Sequence, residues 1–195
     1  MNLPNKLTVS RFAFTAAFLV AFFSRFETIA LVLFCLGGIT DFLDGEIARR
    51  RKLITNFGIL MDPLADKILV CSAFIAFVGR HEETHVEAWM VIVIVARELA
   101  ITGLRLLAAS KNQVLAAERF GKHKTISQLT TIIAILVLLA YPQWGAFGKF
   151  FAFEIQGQPW VIGFAAIAKW LTVALTIFSG AMYLLRNRAV YLDET

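Results

Sequence analysis

Charge is scarce in this sequence of 195 residues, of which 17% are Asp, Glu, Lys or Arg, against about a quarter in soluble domains. With 58% of residues hydrophobic, that shortfall excludes an ordinary water-soluble domain. The few charges fall in clusters between long apolar runs, the pattern of a polytopic membrane domain. Cysteine is equally sparse. Cys35 and Cys71 both lie inside apolar runs, with no Cys-x-x-Cys and no Cys/His cluster. They read as small buried hydrophobes, and a structural disulfide is not expected. No basic stripe with interleaved aromatics exists, so the formal charge of +5 points to loops at an anionic membrane surface, not to nucleic acid. No small-residue cleavage site follows the first apolar run, which therefore reads as a retained span. Internal repeats and low-complexity tracts are also missing. His81, Glu82 and His85 match the His-Glu-x-x-His zinc pattern, but they sit in a short acidic loop without an obvious third ligand and read as solvated.

What is present is a set of apolar runs, each near the roughly 20 residues that a spanning helix needs. Six fit: about 8–24, 28–48, 58–79, 87–109, 125–142 and 160–186. The expected fold is thus an all-α integral membrane protein with six transmembrane helices in one domain, 1–195. Residues 143–159, rich in Gly, Gln and aromatics, read as an interfacial or re-entrant loop. Loop charge sets orientation. Arg49, Arg50, Arg51 and Lys52 follow the second span, and Lys111, Arg119, Lys122 and Lys124 lie between the fourth and fifth. Glu82, Glu83 and Glu87 outweigh Arg80 between the third and fourth. Positive loops face the cytoplasm, so both termini are expected there.

The second and third spans carry aspartates. Asp41 and Asp44 are three apart, and Asp62 and Asp66 four apart, spacings that put each pair on one helix face. Each ionised Asp at mid-bilayer costs about 2.5–3.5 kcal/mol on insertion scales, and Lys67 could neutralise only one. Hard divalent cations suit such carboxylates, Mg²⁺ or Mn²⁺ rather than a soft metal. Two ions shared by four carboxylates would also clamp a diphosphate. Gly45 and Ala48 leave room for a flat base or diphosphate, Arg49 can fork onto phosphate oxygens, and Gly58 permits close helix contact. On spacing alone, a proton relay or ion-pathway site of a cation-coupled transporter stays open. Further along, Arg97 lies within the apolar run of the fourth span, where an uncompensated cation is costly. Glu98 beside it is not placed to pair with it on the same helix face. Arg97, Arg105, Lys122 and Lys124 together suit an anionic, phosphate-bearing substrate. The two lysines also satisfy the positive-inside bias by themselves.

Asp-x2-Asp-Gly-x2-Ala-Arg-x8-Gly-x3-Asp-x3-Asp, read from Asp41 to Asp66, resembles the signature of the CDP-alcohol phosphotransferase family at all eight positions. The flanks in residues 2–11, 63–70, 96–98 and 121–125 resemble those of bacterial members that act on glycerol 3-phosphate. The resemblance implies a six-helix membrane fold in a bacterial plasma membrane, with the active site near the cytoplasmic side, and a homodimer. It implies transfer of the phosphatidyl group of CDP-diacylglycerol to sn-glycerol 3-phosphate, giving phosphatidylglycerol phosphate and CMP. Inositol phosphate, serine or phosphatidylglycerol are the acceptors of sibling enzymes. By the same resemblance Asp41, Asp44, Asp62 and Asp66 hold two metal ions, with Asp66 as general base. Asp41, Asp44, Gly45, Ala48, Arg49 and Gly58 seat the cytidine diphosphate, with Asn5 and Thr8 at its edge. Arg97, Arg105, Lys122 and Lys124 take the acceptor phosphate.

Overall fold

The computed structural model describes the backbone of residues 3–51, 56–111, 113, 115, 119–155 and 157–192, and the side chains of 10–39, 67–111, 113, 115, 121–155, 157–188, 190 and 191. It is mostly helical. In chain order come α1 (Leu3–Phe23), α2 (Glu27–Arg51), α3 (Asn56–Val78), the single turn α4 (His81–Thr84), α5 (Ala88–Ser110) and α6 (Arg119–Ala140). After a 3-10 turn at Tyr141–Gln143 follow α7 (Gly148–Phe151), a two-residue hairpin of β1 (Glu154–Ile155) and β2 (Gln158–Pro159), α8 (Trp160–Arg186) and α9 (Ala189–Leu192). The hairpin is antiparallel, pairing Glu154 with Pro159 and Ile155 with Gln158, and Gly157 takes the positive φ (79°) its turn requires.

The six long helices coincide with the six apolar runs, but α1 starts at residue 3 rather than 8 and α6 at 119 rather than 125. Hydropathy marks where a helix meets lipid, not where it begins. Polar first turns such as Arg119 to Lys124 are helical without being apolar. Among the described residues, Gly121–Gln143 and Trp160–Arg186 are long and apolar enough to cross a membrane, and Ser10–Phe23, Glu27–Ile39 and Lys67–Val78 are shorter apolar stretches. Large apolar side chains point outward along these helices, among them Val20, Ile92, Ile126 and Ile167 at 61–70% exposure. Soluble monomers rarely present such continuous apolar surface, and a lipid surround accounts for it.

α1 packs against α2 and α3, α8 lies along α5 and α6, and α2–α6 and α3–α5 contacts join the two groups. The first group is locked by interdigitated rings. Phe18 and Phe22 of α1 meet Phe34 of α2 and Phe77 of α3 at centroid distances of 5.6–5.9 Å, favourable tilted geometry. At Gly37 an added Cβ would approach Leu69 Cδ2 to 2.9 Å, so the missing side chain sets how closely α2 can approach α3. In the second group the Thr131 and Thr172 hydroxyls hydrogen-bond at 2.8 Å and join α6 to α8.

Alternation along the chain puts the α1–α2, α3–α5 and α6–α8 connections at one end, and the α2–α3 and α5–α6 connections at the other. The first end is clamped by Arg80, buried at 7% exposure. Its guanidinium donates to both Glu27 carboxylate oxygens (2.9 and 2.6 Å) and to the Phe22 carbonyl (3.1 Å), lies 4.6 Å from the Phe22 ring centroid, and pairs with Glu83. Trp144 Nε1 donates to Thr28 Oγ1 (2.8 Å), which ties the residue 141–159 connection to α2. The His-Glu-x-x-His stretch lies at this end too. α4 stops at Thr84 and His85 turns left-handed (φ 50°), so the two histidines do not share one continuous helix.

Candidate active site

The described part of the site lies at the opposite end, where α3, α5, α6 and α8 converge. α5 supplies Arg97, Glu98, Thr102 and Arg105. Glu98 is 2% exposed and receives Lys67 of α3 on Oε2 and Lys124 of α6 on Oε1. Gln128 Nε2, one turn beyond Lys124, lies 3.4 Å from Oε1, and Arg97 Nη1 lies 3.5 Å from the same atom. A carboxylate this deep is stable as an ion only when partnered. Here three helices contribute the partners.

α8 shapes the arginines. Arg105 Nε donates to the Tyr183 hydroxyl (3.1 Å), and its guanidinium carbon lies 5.5 Å from the Tyr183 ring centroid. One turn earlier, a Cβ at Gly180 would come within 2.9 Å of Arg97 Cγ, so glycine there is what admits the Arg97 stem. Arg97 is 12% exposed, and its Nε is buried without a hydrogen-bond partner among the described residues. Such a donor is costly unless something accepts from it.

These side chains border a cavity of about 380 Å³ lined by Lys67, Arg97, Arg105, Lys122, Lys124 and Thr125, among others. A smaller cavity of about 230 Å³ lies behind it, bordered by Cys71, Glu98 and Gln128 and sharing Lys67, Lys124 and Thr125 with the first. All four residues expected at the acceptor phosphate, Arg97, Arg105, Lys122 and Lys124, therefore line one cavity. Lys122 is exposed and Lys124 buried at 2%, so the lysines are not equivalent. One sequence expectation needs correction. Arg97 does lie within ion-pair distance of Glu98, because the long guanidinium stem curls back over its neighbour. Lys67, which could have neutralised one aspartate at most, is bound to Glu98. Glu98, Gln128, Gly180 and Tyr183 were not anticipated in the site. Only Glu98 carried a signal, as a carboxylate in an apolar run that needs a partner.

The motif residues place themselves only as backbone. Asp41, Asp44, Gly45, Ala48 and Arg49 belong to the last turns of α2, and Gly58, Asp62 and Asp66 to α3, with Asn5 and Thr8 on α1. Their side chains lie outside the described residues. The helical backbone preserves the three- and four-residue spacings, and Asp66 immediately precedes Lys67 of the cavity wall. Among the described residues no group of three or more His, Cys, Asp or Glu forms a metal cluster.

Residues 1–178 match the profile of the CDP-alcohol phosphatidyltransferase family. The chain belongs to that family. Its similarity to curated relatives runs nearly end to end. A CDP-diacylglycerol–glycerol-3-phosphate 3-phosphatidyltransferase of Bacillus subtilis is 39% identical over 201 residues, covering 95% of each chain. Proteins of the same name from Rickettsia felis and Salmonella typhimurium are 33% identical over 186 residues (93% of each chain) and 32% identical over 203 residues (99% of this chain, 98% of the relative). Coverage of 93–99% of this chain means that the similarity reaches into the last third as well.

Proposed function

We propose that this chain transfers the phosphatidyl group of CDP-diacylglycerol to sn-glycerol 3-phosphate, forming phosphatidylglycerol phosphate and CMP. The observation that carries the reading is the cation-lined cavity next to the helix that bears Asp62 and Asp66. Five cationic side chains line it, with Glu98 behind them as the one carboxylate among the described side chains there. Arg97, which lines it, has a buried Nε without a hydrogen-bond partner among the described residues. That excess of positive charge in a small recess suits a phosphate monoester dianion. The names of the relatives fit the same acceptor.

In this reading the acceptor phosphate rests against Arg97, Arg105, Lys122 and Lys124, and its free hydroxyl points toward Asp66. The hydroxyl proton passes to the Asp66 carboxylate. The new bond forms between the acceptor oxygen and the β-phosphorus of the donor. The bond from that phosphorus to the bridging oxygen breaks, and CMP leaves with the electron pair. Asp41, Asp44, Asp62 and Asp66 offer four hard oxygen donors from two helices, which fits Mg²⁺ or Mn²⁺ and not a soft metal. When bound, two such ions supply neutralisation of the charge on the diphosphate oxygens. Gly45, Ala48, Arg49 and Gly58, with Asn5 and Thr8, form the seat for the cytidine diphosphate. The whole chain acts as one six-span domain in the bacterial plasma membrane, with termini and site on the cytoplasmic side, and the acyl chains stay in lipid.

The test is CMP release by purified protein from CDP-diacylglycerol, with glycerol 3-phosphate, inositol phosphate, serine or phosphatidylglycerol as acceptor, with and without EDTA. Release is expected with glycerol 3-phosphate and is lost on chelation. Preference for another acceptor overturns the acceptor assignment, and EDTA-resistant release overturns the metal.

A further inference from the structure

Glu98 lines the smaller cavity and not the larger one, whereas Lys67, Lys124 and Thr125 border both. The two lysines are therefore the charged part of the partition, and Glu98 holds them from behind, each on its own carboxylate oxygen. We propose that Glu98 is a positioning residue for the acceptor: it fixes Lys67 and Lys124 in the wall so that their ammonium groups meet a phosphate monoester in the larger cavity. The inference rests on the transfer reaction proposed above and adds to it a residue that does not itself touch substrate.

Three observations carry it. The first is the branching. A carboxylate needed only to cancel one buried cation would take one partner, yet Glu98 ties α3 to α6 through separate oxygens. The second is charge. Among the described side chains, Lys67, Lys124 and Arg97 bring three positive charges to one negative, a surplus of two. Lys124 and Arg97 are only 3% and 12% exposed, so water does little to absorb that surplus, and a dianion in the adjoining cavity would balance it. The third is place. Lys67 directly follows Asp66 on α3, so the ammonium group that Glu98 holds belongs to the residue next to the proposed base, where the acceptor has to lie. Among the described side chains, Glu98 is the sole carboxylate at this end, so nothing else described there can take its place.

The experiment compares wild type, Glu98→Gln and Glu98→Asp in detergent, each checked for monodispersity and Tm, with CDP-diacylglycerol and glycerol 3-phosphate varied separately. Glu98→Gln is expected to raise the KM for glycerol 3-phosphate about tenfold, with kcat and the donor KM changing less than about threefold. Glu98→Asp keeps the charge but is one methylene too short to span both lysines, and is expected to fall between. In a double-mutant cycle, adding Lys124→Met to Glu98→Gln costs little more, because Glu98 acts through that lysine. An unchanged acceptor KM, additive losses in the cycle, or equal losses toward donor and acceptor would each overturn the proposal, as would failure of both variants to fold, which would make Glu98 a stability residue. If wild type itself gives no CMP with glycerol 3-phosphate, the reaction assignment fails instead, and the two failures are told apart.

Discussion

Arg97 shows how one side chain can be both expensive and useful. Its stem is packed on Gly180, its Nη1 lies 3.5 Å from Glu98, and its Nε has no partner among the described residues. An arginine kept only for stability would have its donors matched. Arg97→Ala is therefore expected to raise the KM for glycerol 3-phosphate by about 10–100-fold, the loss of one or two charge-assisted hydrogen bonds, with the donor KM little changed. Steady-state kinetics with each substrate varied separately would read this, and an unaltered acceptor KM would make Arg97 structural. Asp66 makes the complementary case. Asp66→Asn keeps the size of the side chain and removes its ability to accept a proton at neutral pH, so incorporation of radiolabelled glycerol 3-phosphate into lipid should vanish while the protein remains folded. Full activity in that variant would take Asp66 out of the base role.

Between helices, a buried ion pair far from the proposed chemistry acts as a restraint. Arg80, between α3 and α4, reaches Glu27 at the start of α2, 53 residues away, in a bidentate pair with both partners under 10% exposed. Arg80→Ala would strand the Glu27 carboxylate, and removing one partner of a buried pair costs about 3–5 kcal/mol. A marked fall in Tm with unchanged KM values is the expected outcome, and a Tm close to wild type would show that water already reaches the pair. Glu83 extends the same cluster. Its hydrogen bond from Arg80, and then that from Arg25, hold its carboxyl below the ordinary value of 4.5. A depressed folded-state pKa contributes stability that is present above 4.5 and is lost as pH falls through the lower folded-state value. Wild type should therefore lose Tm on acidification below about 4.5 more steeply than Glu83→Gln, and parallel curves would exclude Glu83 from the acid transition. These two clusters also mark what the sequence could and could not disclose. Six helices were legible because apolar runs have the length that lipid demands. That Arg97, Arg105, Lys122 and Lys124 belong together was legible because ionised groups in or beside such runs require a reason, and the structure lines one cavity with all four. The pairings were not. Lys67 belongs to Glu98 and Arg80 to Glu27 because of how helices rotate against one another, which no local pattern encodes. Gly180 and Tyr183 look like ordinary residues of an apolar helix until α8 is laid against α5.

Across the whole molecule, the cations divide by their partners. At the end formed by the α1–α2 and α3–α5 connections, Arg25 and Arg80 are matched by Glu27 and Glu83. At the other end Lys67, Arg97, Lys124, Arg105 and Lys122 surround Glu98 alone among the described side chains, and the Arg49–Arg51 run adds to the same end of the chain path. Orientation follows the count of Lys and Arg in short loops rather than net charge, so the aspartates of the motif do not offset this bias. In the expected orientation, anionic lipid of the inner leaflet would attract the cation-rich end. The expected topology places the site where both proposed soluble species, glycerol 3-phosphate and CMP, meet the cytoplasm, while the donor's acyl chains stay in the bilayer. Labelling of intact cells with a membrane-impermeant maleimide decides this, in a background where Cys35 and Cys71 are replaced. Glu82→Cys on α4 should label from outside, and Arg188→Cys, just after α8, only once the membrane is opened. The reverse pattern would turn the molecule over and put the proposed site on the side that lacks its substrates. Labelling of both from outside would mean that the number of crossings between them is even.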